Sequence, residues 1–156
     1  MEVKTQHGAD YSAANLGSLL SLMQYEYTFA GLGNRKVPGK VFLKEALQLT
    51  GAEISYNCFP PGAAMPFSHQ HREHEEIYLF LSGQGEFMVN DALFAIAEGS
   101  VLRVSTGGIR AYRNTGTDDL RFIVLQVKQD SLQQGTIEDG IRIPGQVAWP
   151  VVLQTA

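Results

Sequence analysis

Short apolar runs separated by turn residues dominate the chain from Lys40 onward. Glycine, asparagine and aspartate fill the breaks, as at Asn90-Asp91 and Gly107-Gly108. Residues 44–49 predict a single helical turn. The runs that predict strands are 41–43, 52–59, 76–81, 86–89, 93–97, 100–104, 111–113 and 120–128. Many short strands at regular spacing predict an all-β sandwich or barrel.

The first 39 residues follow a different pattern. After Asn15, a plausible helix cap, four apolar residues recur at helical spacing: Leu16, Leu19, Leu20 and Met23. Tyr25, Tyr27 and Phe29 instead alternate with polar residues, which predicts a strand. The pattern therefore predicts a short N-terminal arm, helical or extended, whose apolar side chains either lie across the domain or pair with a second subunit.

These patterns divide the chain into three parts. Residues 1–39 form the N-terminal arm and a linker, 40–128 the barrel, and 129–156 an extended C-terminal tail that we expect to pack on the outside of the barrel. Within the first part, the residues around His7 are polar and predict an irregular surface segment. The glycine-rich residues 31–39 predict a plain loop.

Composition and charge restrict the classes of partner. The 156 residues carry 12 basic and 16 acidic side chains, a net charge of −4 with no basic block, so we expect no nucleic-acid partner. No apolar run approaches the ~20 residues that span a bilayer, and no secretion signal opens the chain, so we expect a cytoplasmic protein without a membrane partner. The single cysteine, Cys58, excludes an intrachain disulfide and predicts a buried small apolar side chain. A small-molecule ligand and a second subunit remain as expected partners.

Candidate chemistry is concentrated between Pro61 and Gly83, which holds three of the four histidines. In an extended segment His69 and His71 project to the same side, while Gln70 points away. Residues 72–75 are polar enough for a turn, so Glu76 at the start of the next strand can face the two imidazoles. Two neutral nitrogens and one carboxylate form the facial set of ligands that suits non-haem iron and also accepts zinc, manganese or nickel.

The same residues resemble a known family. Gly62, His69-x-His71, Glu76 and Gly83 resemble the first conserved motif of the cupin superfamily, and 99–114 resembles the second. The resemblance covers roughly residues 40–128. It implies a double-stranded β-helix, or jelly-roll, barrel that holds a metal near its axis and is usually dimeric, so we expect a homodimer.

Three positions depart from the pattern of that family. Six residues rather than five separate Gly62 from His69, and Ser105 stands where a proline is usual. The third departure concerns chemistry, because Arg110 occupies the position of the fourth metal ligand, a histidine. Arginine has no free lone pair and stays protonated, so it cannot ligate a cation.

Two interpretations of Arg110 remain open. In the first, His69, His71 and Glu76 bind a metal with open positions, and Arg110 clamps an anionic group of the substrate. In the second, Arg110 replaces the metal by pairing with Glu76. Aromatic side chains such as Phe67, Tyr78 and Tyr112 either line a ligand pocket or fill the β core.

The expected function follows these two interpretations. The first predicts a small-molecule-binding cupin, either a binding protein or a metal-dependent enzyme acting on a small anionic metabolite, with the reaction open among dioxygenase, isomerase and decarboxylase. The second predicts a metal-free sugar-binding, sensory or structural barrel.

Overall fold

Strands dominate the computed structural model, which describes residues 1–29, 33–135 and 139–151. The strands of the predicted barrel region are β5 (Lys40–Phe42), β6 (Ala52–Phe59), β7 (His74–Ser82), β8 (Gln84–Val89), β9 (Ala92–Ala97), β10 (Val101–Val104), β11 (Arg110–Asn114) and β12 (Leu120–Lys128). A helical turn, α1 (Lys44–Leu47), lies between β5 and β6. Each of these elements overlaps the run from which it was predicted, because strand alternation under a buried face gives a clear sequence signal.

Two antiparallel sheets form the barrel wall. The larger sheet has the order β10-β7-β12-β6-β5, and the smaller one has the order β11-β8-β9. Residues 63–69 run alongside β11 through hydrogen bonds from Met65 N to Tyr112 O and from Asn114 N to Ala63 O. This irregular segment extends the smaller sheet and brings His69 to the barrel. The all-β jelly-roll class predicted for the chain is therefore confirmed.

The space between the two sheets is filled mainly by large apolar side chains. The buried members of this inner cluster are Tyr78, Phe80, Phe87, Ile96, Val104, Tyr112, Leu120, Phe122 and Val124. Ring contacts connect many of them; the stacked rings of Phe87 and Tyr112, for example, lie 5.3 Å apart. The polar side chains of this interior are therefore surrounded largely by aromatic rings.

A second apolar cluster lies outside the larger sheet, where the N-terminal arm covers it. The arm contains a 3₁₀ helix (Leu19–Gln24) and β3 (Glu26–Phe29). Leu22 and Tyr25 of the arm pack with Val41, Leu43 and Cys58, and all five are buried. Both predicted forms of the arm, helical and extended, are thus present, and the arm lies across its own barrel. Cys58 is buried as predicted.

Two predictions for the N-terminal part are wrong. The first residues are not irregular, because β1 (Lys4–His7) and β2 (Ser12–Asn15) form a hairpin in which the exposed His7 ring lies 2.9 Å from Ser12 Oγ. Nor is 31–39 only a loop, since β4 (Arg35–Pro38) pairs with β3; residues 31 and 32 lie outside the described part. The strands β1, β2 and β4 contain no fully buried residue, so they do not show the alternation that marks a half-buried strand.

The described part of the C-terminal tail, residues 129–135 and 139–151, forms no strand and is exposed from residue 130 onward. Its packing on the barrel and the homodimer stay predictions. Within the described ranges no helix is long and apolar enough to cross a membrane.

Candidate metal centre in the barrel interior

Two strands and one loop bring the predicted ligands together. Glu76 lies on the inner face of β7, and the loop residue His69 is fixed to β11 by a pair of backbone hydrogen bonds with Arg110: His69 N donates to Arg110 O at 3.1 Å, and Arg110 N donates to His69 O at 2.9 Å. His71 follows two residues later. One ligand atom from each of His69, His71 and Glu76 can be chosen so that all three lie within 4.8 Å of one another. The convergence predicted from sequence is therefore present.

The Glu76 carboxylate is buried and its two oxygens have different surroundings. Oε2 accepts hydrogen bonds from Arg110 Nη2 at 2.6 Å, Arg110 Nε at 3.1 Å and the Tyr78 hydroxyl at 2.5 Å. Oε1 lies 3.1 Å from His71 Nε2. His69 Nε2 lies 3.8 Å from Oε2, which already has three donors, so Oε1 is the oxygen left to face His71.

These contacts also determine the charge of Glu76. Burial raises the pKa of the carboxyl, but the surrounding polar groups lower it by more and hold it well below its usual range. Those groups are His69, His71, Tyr78 and Arg110. Burial, together with the neighbouring Tyr112 and the ionised Glu76, raises the pKa of Tyr78, so its hydroxyl remains a hydrogen-bond donor. The centre therefore contains a fixed negative charge although it is buried.

The two imidazoles are incompletely satisfied. Within the described part of the chain, His69 Nδ1 and His71 Nε2 are buried and have no hydrogen-bond partner. His71 Nε2 lies 3.1 Å from Glu76 Oε1, but this contact is not aligned as a hydrogen bond. Buried polar atoms usually have a partner, so each orphaned nitrogen calls for an explanation. For His71 Nε2, a metal ion beside Glu76 would supply one.

A residue that the sequence prediction missed completes the surroundings of His71. The Gln126 side-chain amide lies 3.1 Å from His71 Nδ1. The oxygen and nitrogen of such an amide are assigned rather than observed, so Gln126 can present its oxygen to an Nδ1 proton. That tautomer leaves the Nε2 lone pair free for a metal. Gln126 lies directly opposite Glu76 on β12, and opposite residues share a face. The strand register therefore places Gln126 beside the centre.

The donor set fits a divalent ion with three protein ligands. Two imidazole nitrogens and one carboxylate oxygen match the ligand types of zinc, iron or manganese sites that keep open positions. Arg110 lies on the far oxygen of Glu76, so it opposes the cation through its charge while orienting the ligand carboxylate.

The predicted substrate-binding residues have different environments. Arg110 is fully buried, with its third hydrogen bond from Nη1 to Gly108 O at 2.8 Å. Tyr78 and Tyr112 belong to the inner cluster, whereas Phe67 is 38% exposed and its ring lies 6.1 Å from that of His69. Their role in substrate binding stays a prediction.

Two surface clefts are also present among the described residues. One, of about 330 Å³, lies between the N-terminal arm and α1, and the other, of about 310 Å³, lies on the outside of the smaller sheet beside Tyr112. Neither is lined by His69, His71 or Glu76. A small-molecule pocket at the centre therefore stays a prediction as well.

Comparison with known proteins connects this geometry to a family. The family model described as the cupin domain matches residues 55–126. No match was found among curated proteins. Among solved structures, a cupin protein from Bacteroides fragilis is 37% identical, with 67% of this chain and 89% of that chain covered and a TM-score of 0.63.

Two further structures are more distant. A predicted oxalate decarboxylase from Thermotoga maritima is 28% identical over 60% of this chain and 79% of its own, with a TM-score of 0.51. A cupin 2 conserved barrel domain protein from Salinispora arenicola is 16% identical over 58% and 75%, also with a TM-score of 0.51, and shows the fold alone. With the two motifs, the jelly-roll topology and a relative of this identity and coverage, the chain belongs to the cupin superfamily.

Proposed function

We propose that this cupin binds a small anionic metabolite at a divalent metal held by His69, His71 and Glu76. The observation that carries the proposal is the buried, unpartnered Nε2 of His71, 3.1 Å from a carboxylate that is ionised despite its burial. Burying two imidazoles and a carboxylate together is costly unless they have a common partner. A divalent cation is the partner that this set of atoms selects.

The residues of such a site have two different roles, holding the metal and orienting Glu76. His69, His71 and Glu76 Oε1 would hold the metal, which supplies Lewis-acid chemistry to a bound ligand when it is present. Arg110 and Tyr78 hold Glu76 Oε2 and so leave Oε1 facing His71. Three protein ligands leave room for a metabolite, as in other catalytic metal sites.

The structure favours a positioning role for Arg110 over the anion clamp considered from the sequence. A clamp needs guanidinium donors that a ligand can reach, whereas Nε and Nη2 are used on Glu76 and Nη1 on Gly108 O. We therefore propose that Arg110 orients Glu76.

The class of ligand is a small carboxylate. The relative from Thermotoga maritima, 28% identical, is described as a predicted oxalate decarboxylase, and oxalate is an anion of this kind. Metal-dependent turnover is the corresponding enzymatic form of the proposal, with decarboxylation, isomerisation and dioxygenation as the reaction classes to assay.

One observation favours a second candidate function, a metal-free binding barrel. Arg110 already neutralises Glu76 at 2.6 Å, and its positive charge disfavours a cation nearby. In this case the imidazoles would hydrogen-bond a neutral ligand such as a sugar.

Metal analysis of protein purified without chelator or metal-affinity resin separates the two candidates. We expect one metal per chain, or stoichiometric uptake of Zn²⁺ or Mn²⁺ by calorimetry, and loss of that stoichiometry in His69→Ala and His71→Ala because two ligands seldom hold a divalent ion. The matched control is His74→Ala, since His74 is half-buried nearby but lies outside the cluster.

Two further results sharpen this test. Arg110→His supplies a third imidazole, and so a fourth ligand, and should raise metal affinity. Metal kept at full occupancy by the His69→Ala/His71→Ala double variant would remove both histidines from the site. A parent protein that neither contains nor takes up metal would support the metal-free candidate.

A further inference from the structure

Lys40 forms no ion pair with any of the residues that the structure describes. On β5 its neighbours Val41 and Leu43 belong to the outer cluster, so alternation turns Lys40 toward the barrel interior. Its cross-strand partner is Asn57, which is buried on the inner face of β6. Lys40 therefore borders the same interior as the metal centre, from the opposite end of the larger sheet.

The surroundings of the Lys40 ammonium are mostly apolar. Its Nζ lies 4.6 Å from the ring centre of Phe42 and 5.8 Å from that of Tyr27. Burial lowers the pKa of Lys40, and the charges of Glu76 and Glu53 oppose that effect. Two carboxylates therefore influence Lys40 electrostatically, but neither lies within 4.0 Å of it among the described residues.

Both of these carboxylates are engaged elsewhere. Glu76 Oε2 accepts from Arg110 and Tyr78. Glu53 Oε1 accepts three backbone hydrogen bonds, from the N–H groups of Leu43, Lys44 and Ile54, at 2.9 to 3.2 Å. These bonds hold Glu76 Oε2 and Glu53 Oε1 in their present positions. Lys40 is thus a partly buried cation that forms no ion pair with either carboxylate among the described residues.

The charges in the barrel interior indicate which kind of ligand the site favours. Arg110 and Lys40 contribute two positive charges and Glu76 and Glu53 two negative charges, so a divalent metal would leave an excess of two positive charges. A partly buried excess of positive charge favours an anionic ligand, because charges are weakly screened there.

From these contacts we infer that Lys40 is the residue that recognises a second negative group of the ligand, so that the site prefers a dianion over a monoanion. This inference rests on the proposed function, in which the metal binds one negative group of the ligand. It adds that Lys40 binds a second negative group of the same ligand. The simple structural alternative is that Lys40 only packs against Phe42 and Tyr27 through its stem and a cation–π contact.

The test compares matched anions. Metal-loaded protein is titrated by calorimetry with the dicarboxylates from oxalate to glutarate, and each is compared with the monocarboxylate of the same carbon number. We expect at least one dicarboxylate to bind about tenfold more tightly than its monocarboxylate, a factor worth 1.4 kcal/mol. Lys40→Met, which keeps the stem but removes the charge, should abolish this preference, and Lys40→Arg should retain most of it.

Controls separate this inference from the proposed function. Lys36→Met removes an exposed lysine that pairs with Glu26 on the neighbouring hairpin, and should leave the preference unchanged. Zn²⁺ uptake by Lys40→Met should equal or exceed that of the parent, because a positive charge has been removed; failure of the parent to take up metal would count against the proposed function alone. No dicarboxylate preference in the parent, with or without metal, or a preference that survives in Lys40→Met, would overturn the role of Lys40.

Discussion

The two faces of β11 carry arginines that meet carboxylates in opposite surroundings. Arg110 on the inner face has no exposed side-chain surface and pairs with Glu76, whereas the Arg113 side chain on the outer face is 60% exposed and pairs with Glu86. The shortest Nη2 to carboxylate distances are 2.6 Å and 2.5 Å. Distance alone therefore does not distinguish the two pairs, and their energetic difference must come from burial.

Burial changes what the loss of one partner costs. An exposed pair is solvated before and after the loss, so its net contribution is usually about 0–1 kcal/mol. A buried pair leaves an uncompensated charge when one partner is removed, which costs about 3–5 kcal/mol. Loss of one partner is therefore expected to change the free energy of unfolding little on the outer face of the strand and strongly on the inner face.

Glu76→Ala gives the largest expected effect. It leaves the Arg110 guanidinium buried without its carboxylate and removes the acceptor of the Tyr78 hydroxyl, so the free energy of unfolding should fall by about 3–5 kcal/mol in chemical denaturation. Glu86→Ala on the outer face is the matched control, with an expected loss under about 1 kcal/mol.

A double variant identifies the cause of that loss. Glu76→Ala/Arg110→Met removes the cation as well and should recover part of the stability, since an apolar pair can replace a buried ion pair. Equal losses for Glu76→Ala and Glu86→Ala would contradict the contrast between the two faces.

The fold and the ligand set were predictable from sequence because both depend on strong local signals. Alternation under a buried face marked the strands of the barrel, and the spacing of His69, His71 and Glu76 placed three ligand atoms together. Family motifs added the jelly-roll topology. Alternation at Tyr25, Tyr27 and Phe29 also predicted β3, whereas the exposed strands β1, β2 and β4 lacked it and were missed.

The surroundings of the site could not be predicted in the same way. Spacing along the sequence does not show which groups accept hydrogen bonds from the Arg110 guanidinium inside the barrel. It therefore could not decide whether Arg110 contacts a ligand or Glu76. Gln126 and Lys40 are far from the motifs in sequence and approach the interior only through the pairing of β12 and β5 with their neighbours. Polar residues of this kind look like surface residues until the register is known.

Tyr78→Phe tests the inner pair with a smaller change. It deletes the 2.5 Å hydrogen bond to Glu76 Oε2 but leaves both arginine donors in place. Since a hydrogen bond to a charged group contributes about 1.5–3 kcal/mol, we expect a loss of unfolding free energy in that range, below that of Glu76→Ala. Tyr112→Phe is the control, because among the described residues the Tyr112 side chain makes ring contacts and no hydrogen bond. Equal, small losses in both variants would mean that Tyr78 acts through its ring alone.

The outer pair provides the smallest effect and the clearest dependence on salt. Arg113→Ala should lower the free energy of unfolding by less than about 1 kcal/mol, because both partners remain solvated. A double-mutant cycle with Glu86→Ala isolates the coupling between the two side chains from their other contacts. The Debye length falls from about 10 Å at 0.1 M salt to about 3 Å at 1 M, so this coupling should shrink toward zero over that range. The corresponding coupling between Glu76 and Arg110 should change little, since salt does not reach the barrel interior. If the outer coupling resists salt while the inner one is lost, burial does not set the difference between the two faces of β11.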